Sequence, residues 1–416
     1  MKIKHPPAPE SGSPAERKYF GLSRNVFVFG FVSLLNDWSS EITIRILPLF
    51  LANVLGVKAA VIGLIEGVAD STATVLKMFS GWFSDLIGRR KPLVLAGYGL
   101  SSLSKPLFYF ANTWPFVLVL RFLDRVGKGL RTSPKDALIA DSTEKNRQGR
   151  AFGYSRAMDP LGAVLGLLTA AAIVALGARA VKLMTRGTYQ TLVLVAAVPA
   201  LIGVVLVALF IKDQVAPNVK RLPPRLSLRG YDRRFKAFLA IVVVFTLGES
   251  SDAFLILRSQ QLGLSLVEIL LMLAMFNLVT TLAALPAGIL SDRIGRAKVI
   301  IGGWFIYGLI YLGFALARSA WQVWILYALY GSYYAATEGV ARALVADVVT
   351  DSAKRGTAYG LYNAAVGVSA LPASLVAGLL WQKFGPSAPF LFGAVLSLGA
   401  MAALAVFLRP HRIAAA

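Results

Sequence analysis

Twelve long apolar segments, separated by short polar stretches, make up most of this chain and constrain its fold more than any other feature. A helix needs about 20 mostly apolar residues to cross a bilayer, and each segment reaches that length. Only 15% of the residues are charged, against about 25% in an average soluble domain. We therefore predict an all-α membrane protein with twelve transmembrane helices, because backbone polar groups in a bilayer need the hydrogen bonds of a helix. The predicted spans lie at about 25–53, 59–83, 91–111, 115–138, 151–177, 188–212, 235–258, 266–290, 297–317, 321–346, 357–382 and 387–408.

One loop motif occurs twice, between spans 2 and 3 and between spans 8 and 9. The copies are residues 81–90 and 288–297, and their aspartates, Asp85 and Asp292, are 207 residues apart. An Ala-Asp pair after spans 4 and 10 repeats at 206 residues. Matches at nearly one spacing predict parallel repeats, and hence two pseudo-symmetric six-helix bundles. The predicted domains are a tail at 1–24, a bundle at 25–212, a basic linker at 213–234, a bundle at 235–408 and a tail at 409–416.

Basic residues are concentrated in alternate loops, and this pattern predicts the orientation. The loops after spans 2, 4, 8 and 10 and the end of the chain are rich in Lys and Arg, whereas the other loops are poorer. Because cytoplasmic loops carry such an excess, both termini are predicted to be cytoplasmic, in the cell (inner) membrane. The loop after span 5, with Arg179, Lys182 and Arg186, fits least. The basic linker is expected to contact anionic lipid headgroups.

The net charge of +22 does not indicate nucleic-acid binding, because the basic residues lie mostly in short loops between apolar segments. The chain has no cysteine, and its two histidines, His5 and His411, lie in the polar ends. The sequence has no P-loop, no His-x-x-x-His pair and no nucleophile–His pair inside a span. We predict a protein that is not an enzyme, has no cofactor and acts as a monomer on a small molecule.

Ionisable residues lie inside several predicted spans, where each is costly unless it faces water or a partner. In span 1, Asp37, Glu41 and Arg45 follow at intervals of four and share one helix face. Glu66 and Asp70 begin a similar stripe in span 2. Such stripes predict a water-filled cavity between the two halves. Charges also interrupt spans 4 and 10, so a hydropathy scan alone is expected to miss them.

The chain has twelve spans arranged as six plus six, a basic central linker and the loop G-x-x-x-D-x-x-G-R-R. In these features it resembles the major facilitator superfamily over nearly its whole length. Residues 63–67 and 121–129 resemble a poorly characterised prokaryotic branch often grouped with drug-efflux proteins. The resemblance implies that spans 1, 4, 7 and 10 line a central cavity and that the loop motif latches the halves in the outward-facing state. Leu86 stands where arginine is usual, whereas the second copy keeps Arg293. The latch residues so implied are Gly81, Asp85, Gly88, Arg89, Arg90, Asp292, Arg293, Gly295 and Arg296.

The leading functional hypothesis is a secondary active transporter that exports a small organic solute by alternating access, with the proton gradient as energy source. A carboxylate can exchange a proton for an ion pair, because burial disfavours its charged form and a nearby cation favours it. Asp159-Pro160 in span 5 weakly resembles a glycine-proline motif of superfamily antiporters. The predicted proton-coupling residues are Asp37, Glu41, Asp124 and Glu249. The predicted substrate-cavity residues are Arg45, Lys105, Arg121, Arg125, Arg156, Asp159, Asp252, Tyr330, Tyr334, Glu338 and Arg342.

Other interpretations remain open at this point. The first is uptake or exchange of an anionic solute at a cationic site made by Lys105 with the arginines of spans 4 and 5. The second is a divalent metal carrier, restricted to ions that prefer oxygen ligands because the spans contain no His or Cys. Individual pairs, such as Asp124 with Arg125 or Arg156, can also serve only to hold helices together.

Overall fold

The computed structural model describes residues 21–144, 147–177, 183–213, 227–349 and 355–407. Nearly all of the two predicted tails and most of the predicted linker lie outside these residues, as do Arg179 and Lys182. The side chains of Asp292, Glu338 and Arg342 are also outside the described part of the structure.

All regular secondary structure in the described ranges is helical. The helices are α1 Arg24–Thr43, α2 Leu47–Asn53, α3 Ala59–Ile87, α4 Lys91–Leu107, α5 Trp114–Asp141, α6 Gln148–Leu176, α7 Arg186–Phe210, α8 Arg233–Gly248, α9 Asp252–Gln261, α10 Leu266–Ile294, α11 Arg296–Leu316, α12 Ala320–Val348, α13 Arg355–Phe384 and α14 Ala388–Phe407. A 3-10 turn, Phe108–Phe110, continues α4.

The helices coincide with the predicted apolar segments. Spans 1 and 7 each consist of two helices, α1–α2 and α8–α9, and every other segment corresponds to one helix. In the described residues, eight helical stretches are long and apolar enough to cross a membrane: α3, α6, α7, α8–α9, α10, α11, α13 and α14. Spans 4 and 10, which correspond to α5 and α12, are outside this set, and so are α1–α2 and α4.

The two broken spans have local causes. α1 ends at Thr43, and Pro48 lies in the first turn of α2, where its missing N–H costs nothing. α8 ends at Gly248, and the Ser251 side chain accepts a hydrogen bond from the backbone N–H of Ala253, which caps the start of α9. Hydropathy averages over such short interruptions, so the sequence did not reveal them.

Helix packing follows the same pattern in the two halves. In the N-terminal half (α1–α7), α1 packs against α6 and α7, α3 against α5, and α4 against α5 and α7. In the C-terminal half (α8–α14), α8 packs against α13 and α14, α10 against α12, and α11 against α12 and α14. The halves contact each other through α3 with α13, α6 with α10, and α2 with α9.

The contact between α3 and α13 depends on glycine. A Cβ atom at Gly63 would lie 2.2 Å from the carbonyl oxygen of Ser374, and one at Gly378 would lie 2.5 Å from that of Ala59. A Cβ atom at Gly67 would lie 3.0 Å from the backbone of Leu371. Without side chains at these points, the two backbones approach more closely than other residues would permit.

Candidate functional site

An ion pair joins the two halves where their broken spans face each other. Arg45 lies in the gap between α1 and α2, and its Nη1 is 2.8 Å from Oδ2 of Asp252, the first residue of α9. The Nε of Arg45 is 3.0 Å from Glu41 Oε2, one turn earlier in α1. The other oxygen of Asp252 accepts a hydrogen bond from the Tyr330 hydroxyl of α12 at 3.0 Å. Each charge of the pair thus has a second partner in its own half.

A second ionic network lies wholly within the N-terminal half. Arg121 of α5 pairs with Glu66 of α3 at 2.6 Å and with Asp124 at 3.6 Å. Asp124 also lies 3.6 Å from Arg125 and accepts a hydrogen bond from the Ser101 hydroxyl of α4. All but Arg125 are almost completely buried, so this network holds α3, α4 and α5 together.

Two buried or half-buried lysines bind only neutral oxygen atoms. The Nζ of Lys105 donates to the Ser40 hydroxyl at 2.9 Å and to the carbonyl of Asn36 at 3.3 Å. The Nζ of Lys135, on α5, donates to the Ser33 hydroxyl of α1 at 2.9 Å. Asp159, on α6, is half-buried. α1 therefore presents neutral polar groups to cations of α4 and α5.

Asp37, Asp70, Lys128 and Glu249 are among the charged side chains that have no ion-pair partner in the described residues. Asp37 accepts only a hydrogen bond from its neighbour Asn36. Lys128 is exposed, and the other three are half-buried. These four groups are the best placed to contact a solute or to exchange a proton.

The C-terminal half presents tyrosines where the N-terminal half presents charges. Tyr330 lies in a group of aromatic rings, 5.3 Å from Phe276, 5.9 Å from Tyr333 and 6.5 Å from Tyr334 between centroids. The Tyr330 ring is buried and Tyr334 is half-buried. This surface is apolar except for its hydroxyl groups.

The structure brings together some of the residues predicted from the sequence and separates others. One cluster contains Arg45, Glu41, Asp252 and Tyr330. A second cluster contains Arg121, Arg125 and Asp124. Arg156 is exposed and forms no bond to Asp124. Sequence reasoning did not select Asp70, Lys128 and Lys135, although Asp70 shares the stripe of Glu66 and Lys135 lies two turns beyond Lys128 on α5.

The loop between α3 and α4 is bonded to several groups of its own half. Arg90 pairs with Asp85 at 3.4 Å and with Asp141, at the end of α5, at 2.6 Å. Asp213, which follows α7, accepts hydrogen bonds from the backbone N–H groups of Arg90 and Lys91. Leu86, in the place of the missing arginine, is largely exposed.

Both loop copies turn at glycine. Gly88 ends α3 with a φ of 69°, and Gly295 separates α10 from α11 with a φ of 91°. Other residues rarely adopt these angles, so glycine is required at both turns. In the second copy, Arg296 pairs with Asp347 at 2.8 Å.

Comparison with known proteins places this geometry in context. The family model of the Major Facilitator Superfamily matches residues 29–248 and 237–415. An uncharacterized MFS-type transporter of Methanocaldococcus jannaschii is 35% identical over 383 residues, which are 91% of this chain and 93% of the relative. The multidrug resistance protein MdtG of Enterobacter lignolyticus is 25% identical over 65% of this chain and 64% of its own.

Solved structures resemble the fold at low sequence identity. The crystal structure of the nucleoside transporter NupG superposes with a TM-score of 0.75 and 12% identity, covering 92% of this chain and 99% of that one. At this identity the likeness concerns the fold alone.

Proposed function

The chain belongs to the major facilitator superfamily, and on that premise we propose that it is a secondary active transporter that exports a small organic solute in exchange for protons. It is an integral membrane protein and not an enzyme. In the proposal, the twelve apolar segments are twelve spans in two six-helix bundles, at 25–212 and 235–408, with both termini in the cytoplasm. The protein acts as a monomer in the cell (inner) membrane, its basic linker contacts anionic lipids, and the proton gradient supplies the energy without a cofactor.

The bond between Arg45 and Asp252 is the observation that carries this proposal. Alternating access requires contacts between the halves that can break and form again. Removing one partner from a buried ion pair is costly because it leaves an isolated charge. Here Arg45 keeps Glu41 and Asp252 keeps Tyr330 when the halves separate. The pair can therefore open without leaving either charge alone.

The ion pair between the halves and several close approaches of α3 to α13 lie near the end of the molecule where α3 begins and α13 ends. Gly63, Gly67 and the pair of Arg45 with Asp252 are all in this region. In the proposed orientation this end is extracellular, so the described state is closed to the outside. Arg90, in the loop after α3, bonds to Asp85 and Asp141 of its own half.

The contacts of the four candidate carboxylates favour two of them for proton coupling. Asp124 and Glu41 are already bound to arginine, which stabilises their charged forms. Asp37 and Glu249 have no such partner. We assign them the exchange of protons, together with Asp70, and we assign Glu41 to positioning Arg45.

Export rather than uptake is supported by the relatives. MdtG is named as a multidrug resistance protein, and the sequence resembles the drug-efflux branch. The likeness to a nucleoside transporter concerns the fold and leaves the solute open.

Purified protein in liposomes with an imposed pH gradient and an internal pH dye tests the proposal. Solutes from a cationic, an anionic and a neutral panel are added, and solute-dependent proton flux is expected for at least one class. Asp37→Asn and Glu249→Gln are each expected to reduce the flux at least tenfold. Glu144→Gln removes an exposed carboxylate outside the membrane and serves as the matched control.

Two results would contradict the assignment. Unchanged flux in both Asp37→Asn and Glu249→Gln would remove the proposed proton sites. Transport that persists after collapse of the pH gradient but requires an opposing solute would replace proton coupling by exchange.

A second candidate function is exchange of an organic anion. It is favoured by the lysines of the N-terminal half, because Lys105 and Lys135 bind neutral oxygens and Lys128 has no ion-pair partner in the described residues. In that case the anionic panel alone would produce flux, and Lys128→Gln would abolish it.

A further inference from the structure

A groove opens on the surface of the N-terminal half, between α1 and α6. Its volume is about 330 Å³, within the range of about 300–1,000 Å³ that is usual for small-molecule sites. The residues that line it are Leu22, Phe27, Phe31, Arg150, Tyr154 and Met158. Apart from the guanidinium of Arg150 and the phenol hydroxyl of Tyr154, these walls are apolar.

The aromatic wall of the groove is held in place by contacts within the half. A Cβ atom at Gly30 would lie 2.2 Å from the Tyr154 ring, so glycine lets this ring pack directly on α1. The Tyr154 ring is stacked on Phe27 at 6.2 Å between centroids, and Phe27 meets the edge of Phe31 at 5.1 Å. The three rings therefore support one another, and the shape of the groove is built into the packing of α1 on α6.

The groove faces away from the polar interior of the N-terminal half. Ser33 of α1 is buried and accepts a hydrogen bond from Lys135 of α5. Phe31 precedes Ser33 by two residues, so it lies about 160° away around the helix. The Phe31 side chain is 41% exposed. In a helix that crosses a bilayer, an exposed apolar side chain on this outer face lies against lipid.

Three cations are gathered where α1 and α6 begin and α7 ends. The Nη1 atom of Arg150 is 3.2 Å from the position of a Cβ atom at Gly21, so its guanidinium reaches the start of α1. Arg24 is the first residue of α1, and its guanidinium lies 5.5 Å from the centre of an aromatic ring at the end of α7. Lys212 follows α7, and its backbone is joined to Asn25 by two hydrogen bonds.

Described acidic residues near this end of the half are bound to other groups. Asp213 accepts hydrogen bonds from two backbone N–H groups of the loop after α3, and Glu144 pairs with Arg147 at 3.4 Å. The first turns of α1 and α6 contain no acidic residue. A cation at the start of a helix opposes the helix dipole, so Arg24 and Arg150 do not stabilise these helices. An anion supplied by the surroundings would neutralise them.

The order of the charged and apolar parts matches the depth of a bilayer. Helix α6 rises about 1.5 Å per residue, so Met158 lies about 12 Å from Arg150 along the axis. Both helices begin at the cytoplasmic side in the proposed orientation. Arg150 is then at the level of the headgroups, and Met158 is at the level of the hydrocarbon. A phospholipid has its charge and its chains in this same order, whereas a free anion would use only the charged end.

We propose that this groove binds an anionic phospholipid of the cytoplasmic leaflet. The phosphodiester is bound by Arg150, with Arg24 and Lys212 beside it, because the guanidinium fork fits phosphate oxygens. One acyl chain packs along Phe31 and Met158. Basic pockets between helices on the cytoplasmic side are suited to such headgroups. The site lies outside the space between the two halves, and it is independent of the solute and of its coupling.

Lipid titration of the full-length, delipidated protein in detergent, followed by native mass spectrometry, tests the proposal. The probes are phosphatidylglycerol and phosphatidylcholine with identical acyl chains, and inorganic phosphate in large excess serves as competitor. The Kd of the first phosphatidylglycerol is expected to be at least fivefold lower than that of phosphatidylcholine. Phosphate is expected to displace little of the lipid. Equal Kd values for the two lipids, or full displacement by phosphate, would overturn the proposal.

Charge variants locate the headgroup. Arg24→Gln and Arg150→Gln are each expected to raise the Kd of phosphatidylglycerol at least threefold, with little change for phosphatidylcholine. Arg150→Lys keeps the charge and is expected to retain most of the affinity. Arg318→Gln is the matched control, because Arg318 is exposed between α11 and α12, away from the groove. The same loss in Arg318→Gln as in Arg150→Gln would show attraction by net charge alone and would refute the site.

A second pair of variants locates the acyl chain. Met158→Trp narrows the groove without changing any charge and is expected to raise the Kd of phosphatidylglycerol at least threefold. Val395→Trp adds the same ring to an exposed position of α14 and is expected to leave the Kd unchanged. Thermal unfolding of each variant in the same detergent identifies any loss that is due to misfolding. Wild-type affinity in a folded Met158→Trp would place the lipid elsewhere.

Discussion

Arg90 and Asp141 form an ion pair that has a counterpart in the C-terminal half, the pair of Arg296 and Asp347, although the two loop copies align Arg296 with Arg89. Both partners are displaced by 206 residues, and the N–O distances are 2.6 Å and 2.8 Å. In each half the bond ties the start of one helix, α4 or α11, to the last turn of another, α5 or α12. The side chain of Arg90 is 9% exposed and that of Arg296 is 40% exposed. The repeat therefore preserves the bond but not its surroundings.

This difference predicts unequal effects on stability. Arg90→Ala is expected to lower the free energy of unfolding by about 3 kcal/mol, because it removes a nearly buried cation from Asp141. Arg296→Ala is expected to lower it by about 0.5 kcal/mol, as for other exposed pairs. Thermal unfolding in one detergent compares the two variants, and equal losses would contradict the role of burial.

Loss of the bond between the halves is predicted to open the extracellular end. The chain has no cysteine, so a single reporter, Tyr334→Cys near Arg45, can be labelled without a background. Adding Asp252→Asn removes a partly exposed pair worth about 1 kcal/mol, which corresponds to about a fivefold shift towards the open state. Faster labelling by an impermeant maleimide applied from outside is expected. The same rate in the reporter alone, in the Asp252→Asn variant and in a Glu144→Gln control would refute the gate.

The close contact of α3 with α13 is predicted to tolerate no added carbon. Gly63→Ala would set a Cβ against the carbonyl of Ser374, so the two halves must separate at this end. We expect a lower unfolding temperature and faster labelling of the Tyr334→Cys reporter. Gly99→Ala is the control, because a Cβ atom on that α4 glycine meets no atom within 4 Å. Similar behaviour of the two variants would show that the contact does not hold the halves.

Two buried cations are predicted to respond differently to replacement by methionine. Lys105→Met removes a charge that binds only neutral oxygens, so stability is expected to be unchanged or increased. Arg121→Met leaves Glu66 without its ion-pair partner and is expected to cost about 3 kcal/mol. Thermal unfolding of both variants measures this contrast, and a larger loss in Lys105→Met than in Arg121→Met would reverse the interpretation. Proton flux in the stable Lys105→Met variant then reports whether its charge is used in transport.

The positions of the helices could be predicted from the sequence because hydropathy acts over about 20 residues. The same averaging concealed the breaks around Arg45 and before Asp252, each of which is only three residues long. Those breaks give the candidate site its geometry, since Arg45 lies in one of them and Glu249 in the other.

The roles of individual charges could be predicted only in part. Periodicity placed Asp37, Glu41 and Arg45 on one face, but it does not indicate which charges are paired. The partner of Arg45 lies 207 residues away, and Asp124 is bound by a serine of another helix. These contacts arise from tertiary packing, so sequence analysis ranked Asp124 above Asp70, whereas the structure leaves Asp70 unpaired.

The glycine contact between α3 and α13 has a kinetic consequence. Interlocked side chains must leave their rotamers before two helices can move past each other, which adds an activation barrier. At Gly63, Gly67 and Gly378 the glycines contribute no side chain, and the nearest atoms opposite them are backbone atoms. The two halves can therefore rotate against each other at this contact without interlocked glycine-position side chains. The rate of a transport cycle would then depend on the breaking of ion pairs elsewhere rather than on an activation barrier at this contact.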